Sequence, residues 1–99
     1  MPSLNAKPVR LLMRDMVDGL ELRLGHEFTR EQAVAWFAQH YPNVKEGTVT
    51  AHLIRQSTNT ETRLHYHPRA DGSDDLFVKL DAHRFRVYDP GSAPPPIRE

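Results

Sequence analysis

Residues 28–59 read FTREQAVAWFAQHYPNVKEGTVTAHLIRQSTN, and the fold turns on this stretch. Thr29 followed three residues later by Gln32 is a capping box, each side chain satisfying a backbone N–H that a helix start leaves free. Ala33, Val34, Phe37 and Tyr41 then share one helical face, with Trp36 at its edge. Pro42 ends that helix, and Pro42-Asn43 makes a turn. A further helix is expected to open between Lys45 and Gly47 and to run to about Thr58, with Val49, Leu53 and Ser57 facing inward and Ile54 at the edge. At roughly 100° per residue, Thr48, Ala51, His52, Arg55 and Asn59 fall in one line on the opposite face. None of the five is acidic, and each is small or able to hydrogen-bond.

Toward the N-terminus, Val9, Leu12, Met13, Met16, Val17, Leu20 and Leu24 recur at spacings of three and four, which is one stripe of a helix. Pro8 suits its first position, where a missing N–H costs nothing, and Gly25 is a plausible stop. Leu11 and Leu22 lie off the stripe, as ordinary surface leucines or as a dimer contact. His26-Glu27-Phe28, just before the capping box, is a candidate one-bridge strand.

Toward the C-terminus the period changes after Asn59. Arg63-Leu64-His65-Tyr66-His67 alternates, which predicts an extended segment. The stretch from Pro68 to Asp75 is turn chemistry, with Asp71-Gly72 and Ser73-Asp74, and its three aspartates read as a solvated loop. Leu76-Phe77-Val78-Lys79-Leu80 and Arg84-Phe85-Arg86-Val87-Tyr88 have strand composition, joined by the hairpin-length Asp81-Ala82-His83. Residues 1–89 are therefore expected to form one domain. Residues 90–99, with three consecutive prolines, are expected to be a flexible tail or linker that joins no sheet.

The order is helix, short strand, helix, turn, helix, then a two-stranded ribbon. The run Phe28-Thr29-Arg30-Glu31, Trp36-Phe37, Tyr41-Pro42-Asn43-Val44-Lys45, Thr48-Val49 and His52-Leu53 resembles small winged helix-turn-helix domains that accompany restriction and DNA-modification systems. Arg63, His65-Tyr66, Leu76-Phe77 and Arg84 to Pro90 are similar too, so the likeness covers roughly Glu27 to Pro90. It implies an α+β fold of three helices followed by an antiparallel β-ribbon, the wing. It also implies double-stranded DNA as partner, with a nuclease or other effector protein as a second one. Fold likeness alone does not establish function.

On that expectation Thr48, Ala51, His52, Arg55 and Asn59 form the DNA-reading surface. A recognition helix presents side chains to base edges in the major groove, where arginine pairs with guanine, asparagine with adenine, and alanine or the threonine methyl with the thymine methyl. Arg63 and His65, with His67 and Arg69, are expected to clamp phosphates, which set position rather than sequence choice. Lys79, Arg84 and Arg86 are the wing contacts. Each group also has a plainer reading, as the solvated face of an amphipathic helix, as polar loop residues, or as charges that discourage strand-edge pairing.

Bulk composition limits the alternatives. Ninety-nine residues make one domain, and thirteen basic residues balance thirteen acidic ones. A nucleic-acid binder usually carries a basic excess. Here charge is segregated instead: Arg63, His65, His67 and Arg69 precede Asp71, Asp74 and Asp75. No stretch approaches the ~20 apolar residues of a membrane span, and no apolar signal core opens the chain. The absence of cysteine agrees with a reducing, cytoplasmic setting. No phosphate-binding glycine loop, nucleophile elbow or paired-carboxylate grouping is present, so neither an enzyme nor a cofactor is expected. His65-x-His67 lacks the third and fourth ligands that zinc wants, so no metal is expected. The rival reading is a winged-helix protein-docking module, which neutral charge favours and which would show an apolar patch including Leu11 or Leu22. A partner of a nuclease, of the inhibitor or antitoxin type, is a third.

Overall fold

The hydrophobic stripe of the N-terminal segment forms α1, Val9–Gly19, with Leu12, Met13 and Met16 fully buried. The computed structural model describes residues 8–69 and 71–97. α1 stops well short of Gly25. Its end is a Schellman motif in which Leu22 N–H donates to the Val17 carbonyl at 3.0 Å and Glu21 N–H to Asp18 at 3.0 Å. The left-handed position falls on Glu21, at φ 56°, where glycine is the usual occupant. Leu24 consequently leaves the stripe and stands 63% exposed.

β1, Glu27–Thr29, leads directly into α2, Arg30–His40. The capping box is present: Gln32 N–H donates to Thr29 Oγ1 at 3.0 Å, and Thr29 N–H to Gln32 Oε1 at 2.8 Å. Ala33 and Phe37 point into the core, and the turn after His40 brings the chain to α3, Glu46–Arg55, whose Val49 and Leu53 are buried against them. Gly19 lets α2 approach α1, because a Cβ there would collide with the Trp36 indole.

α3 ends at Arg55, three residues before the expected limit. Ser57 Oγ donates to the Leu53 carbonyl at 2.6 Å, and the Gln56 carbonyl accepts from Leu76 N–H and Phe77 N–H at 3.1 and 2.8 Å. The chain leaving α3 is thus captured by the strand beside it, and Ser57 forms a parallel bridge to Phe77. The segment expected to be extended is instead a 3-10 helix, Glu61–Tyr66, closed by His67 at φ 53°. The alternation read from Arg63 to His67 is not a strand because Arg63, not Leu64, is the residue that turns inward, with 0% exposure.

β2, Phe77–Lys79, and β3, Arg84–Val87, form the hairpin expected from composition. The sheet is antiparallel throughout, in the order β1-β3-β2. Phe28 pairs with Phe85, and Phe85 in turn with Lys79. Its inner face carries Phe28, Phe77 and Phe85, with Phe28 edge-on to Phe77 at 5.1 Å and stacked on Phe85 at 5.7 Å. Burying each such ring contributes about 1.5–3 kcal/mol relative to exposure. The result is an α+β fold with four helices and one small sheet among the described residues.

Beyond β3 the proline-rich segment returns to the body. Ile97 N–H donates to the Thr58 carbonyl at 2.7 Å, so this segment is tied down at its far end. No helix of the described residues is long and apolar enough to cross a membrane.

Candidate functional site

The outward face of α3 begins at Lys45, its N-cap, which is exposed and makes no ion pair with another described residue. Thr48, Ala51 and His52 follow, all half-exposed. The His52 ring folds back along its own helix, with Nδ1 2.8 Å from the Thr48 carbonyl oxygen. Glu46 is the one carboxylate on α3. The three residues expected on this face do come together on it, and they present hydroxyl, methyl and imidazole groups.

The line stops there. Arg55 is turned toward the loop before β2, donating Nε at 3.2 Å and Nη2 at 3.1 Å to Asp74 Oδ2. Its side chain is 22% exposed, and Asp74 is wholly buried. Gln56 Nε2 and Arg69 N–H also donate to that carboxylate, at 3.3 and 2.9 Å. Two of Arg55's donors are therefore occupied by the protein itself.

Arg63 is further removed from any ligand. It donates Nε to the Arg55 carbonyl at 3.1 Å and Nη1 to the Ile97 carbonyl at 3.2 Å. Its Nη2 donates to the Asp74 carbonyl at 3.2 Å and to Asp75 Oδ1 at 2.9 Å. Arg63 cannot clamp phosphate from this position. It joins α3, the aspartate loop and the C-terminal segment, and the loop expected to be solvated is half internal.

Asn59 lies past the end of α3 and serves as a clasp. Its amide accepts from Lys79 N–H and donates to the Lys79 carbonyl, both at 2.8 Å, imitating one rung of a β-ladder. The helix end and the hairpin are consequently fixed relative to one another. His65 is exposed on the 3-10 helix, edge-on to Tyr66 at 5.5 Å, with His67 on its cap rather than alternating with it along a strand. Among the described residues no group of three or more His, Asp or Glu could hold a metal ion.

On the hairpin, Lys79 is half-exposed and free of ion pairs with described residues. Arg84 Nε meets Asp81 Oδ2 at 2.7 Å, and its Nη1 lies 3.7 Å from Glu27. Arg86 Nη2 lies 3.5 Å from the same Glu27. The Arg84 guanidinium, helped by the His83 N–H, pulls the Asp81 carboxyl down to about 2. Asp81 Oδ1 also accepts from Arg84 N–H, so this carboxylate shapes the hairpin turn as well as neutralising its arginine. Exposed pairs of this kind contribute little to stability, so a phosphate can compete for the arginines. The Glu31 carboxyl near His83 is also lowered, chiefly by its own backbone N–H.

Two features of the surface leave little trace in the sequence. Lys45 was signalled only as a cation at a helix start. An open groove of about 610 Å³ runs between α1 and the C-terminal segment, walled by Val17, Leu24, Leu76, Val87, Tyr88 and Pro96. Leu11 and Leu22, the leucines expected in any apolar patch, do not line it, and Leu22 packs on the core.

A family model described as a domain of unknown function, DUF7669, matches residues 8–87, and the chain belongs to that family. The match begins one residue before α1 and ends on the last residue of β3. Neither the curated proteins nor the solved structures include a match to the chain.

Proposed function

We propose that this DUF7669 domain binds double-stranded DNA as a winged helix-turn-helix, with α3 in the major groove and the β2–β3 hairpin as the wing. The observation that carries this reading is the α3 face from Lys45 to His52, poor in acid and locked to the hairpin by Asn59. A groove-reading helix gains from a fixed angle to its wing, since ordering the two on binding costs conformational entropy. The connectivity, with β1 pairing β3 and β3 pairing β2, also suits it.

The contact set is narrower than sequence alone suggested. Thr48, Ala51 and His52 face base edges, and Lys45, His65 and Lys79 face phosphate. Arg84 and Arg86 join only by exchanging Glu27 and Asp81 for phosphate oxygens. Arg55, Asn59 and Arg63 support the surface from behind.

The test is a titration of the chain against a fluorescent duplex over a range of salt. Each phosphate contact adds roughly 0.9 to the log–log slope, so Lys45 and Lys79 alone predict a slope near −2. Absence of binding at low salt, or binding indifferent to salt, sinks the proposal.

The groove favours a second reading, a protein-docking module. Leu24 stands exposed at its edge, where a monomer gains nothing from leaving it. Binding that ignores salt but is lost in Leu24→Glu supports this reading over the first.

A further inference from the structure

We infer that His52 is a specificity-determining residue that accepts a hydrogen bond from a base-edge amino group, adenine N6 or cytosine N4. The inference rests on the DNA-binding reading and adds to it what the helix selects.

His52 Nδ1 lies 2.8 Å from the Thr48 carbonyl oxygen, and a carbonyl oxygen only accepts. Nδ1 therefore carries a proton. A neutral imidazole has one N–H, so its Nε2 is left with a lone pair and acts as an acceptor. The carbonyl belongs to the same helix one turn earlier, so the backbone fixes the tautomer whatever a mobile partner does. Helical side chains lean over the preceding turn, which sets this ring above Thr48, toward the helix start. That is the end of a recognition helix that meets bases.

An outward acceptor is informative in the major groove. Adenine and cytosine each present an amino donor there, whereas guanine offers N7 and O6 acceptors and thymine offers O4 and a methyl. The neutral ring therefore favours adenine or cytosine on the strand it touches and opposes guanine and thymine. Arginine at such a position would choose guanine, so His52 gives this helix a preference opposite to the one expected of Arg55.

Two measurements test this on the full chain. Long-range ¹H–¹⁵N correlation of the imidazole nitrogens near neutral pH should show Nδ1 protonated and Nε2 bare. The reverse pattern overturns the inference without touching the DNA-binding reading. Selection from a randomised duplex library should then enrich adenine or cytosine at one position. His52→Ala should lose that preference alone by roughly 2- to 10-fold, the value of one ordinary hydrogen bond. If His52→Ala fails to fold, His52→Phe keeps the ring and removes both nitrogens. A His52-dependent preference for guanine or thymine, or an unchanged motif in the variant, overturns the inference alone. Duplex binding without enrichment overturns the inference alone, whereas no binding by the unmodified chain at low salt overturns the DNA-binding reading and this inference with it.

Discussion

Arg63 donates to Asp75 at 2.9 Å from a side chain with no solvent exposure, which ties the 3-10 helix to the end of the turn-rich loop before β2. A guanidinium taken out of water needs its donors met, and Arg63 has three further acceptors, the Arg55, Asp74 and Ile97 carbonyls, so that four of its five N–H groups are engaged. Removing Arg63 strips Asp75 of this charge-assisted bond and leaves three carbonyls short of a donor. Arg63→Ala is therefore expected to cost about 3–5 kcal/mol, against a usual total near 5–15. Arg63→Lys should rescue little, since an ammonium is a point charge that cannot reproduce the fork. Urea denaturation reads both, and a loss under 1 kcal/mol for the alanine variant would contradict the assignment.

Arg55 answers to the same loop. Its removal leaves Asp74 with Gln56 Nε2 and the Arg69 N–H but without a cation. Arg55→Ala should destabilise by about 1.5–3 kcal/mol, the range for a hydrogen bond to a charged group. Its effect on duplex binding should follow that stability loss and be equal on preferred and scrambled sequences. A base-specific loss from a fully folded variant would return Arg55 to the reading face.

Gly19 is a packing glycine. Because an added Cβ meets the Trp36 indole, Gly19→Ala forces α1 and α2 apart or tips the ring. Overpacking of this sort typically costs about 1–3 kcal/mol, more than the helix-propensity gain of alanine returns. Tryptophan fluorescence should shift with the loss, and a stabilised variant would show that the indole yields freely.

Asp81 gives the hairpin a pH signature. The Arg84 guanidinium, as the main cause, holds the folded Asp81 carboxyl down at about 2, below the ordinary aspartate value of 3.8. The charged form is the one favoured in the folded chain. Its contribution is thus complete above 3.8 and fades as pH falls through about 2. Carboxyl ¹³C titration should place the Asp81 midpoint near 2, and Arg84→Ala should raise it. An Asp81 midpoint near 3.8 would mean the turn is open in solution.

Local signals were legible in the sequence wherever local chemistry decides the outcome. Thr29 and Gln32 specify their helix start through contacts three residues apart, and the alternation of Phe85 and Val87 with Arg84 and Arg86 suffices for β3. What spacing does not encode is where a chain reverses. The run of cations from Arg63 to Arg69 followed by Asp71, Asp74 and Asp75 looks like a patch to be presented. In the fold the halves meet, because the loop doubles back and sets Asp74 and Asp75 under Arg55 and Arg63. Charge segregated across a turn signals internal pairing as readily as a binding surface. Asn59 failed for a related reason: a helical count carries on past Arg55, while Gln56 and Ser57 had been claimed by β2.

The hairpin arginines are held back by carboxylates. Glu27 faces Arg84 at 3.7 Å and Arg86 at 3.5 Å, and with Asp81 it cancels their charge on the outer face of the sheet. All of these side chains are about half-exposed, so the pairs add little stability. Glu27→Gln keeps the size of the side chain and its place opposite Arg86 in β1, but removes one negative charge. Stability should move by less than about 0.5 kcal/mol, as for most surface changes. Duplex affinity should rise at low salt, and the salt slope should steepen by roughly 0.9 for each arginine that gains a phosphate. Sequence preference should stay as it was, because phosphate contacts carry no base information. Arg84→Ala or Arg86→Ala in the Glu27→Gln background should cancel the gain. If Glu27→Gln is folded and binds duplex no more tightly, Arg84 and Arg86 do not meet the backbone, and the hairpin's contact is confined to Lys79.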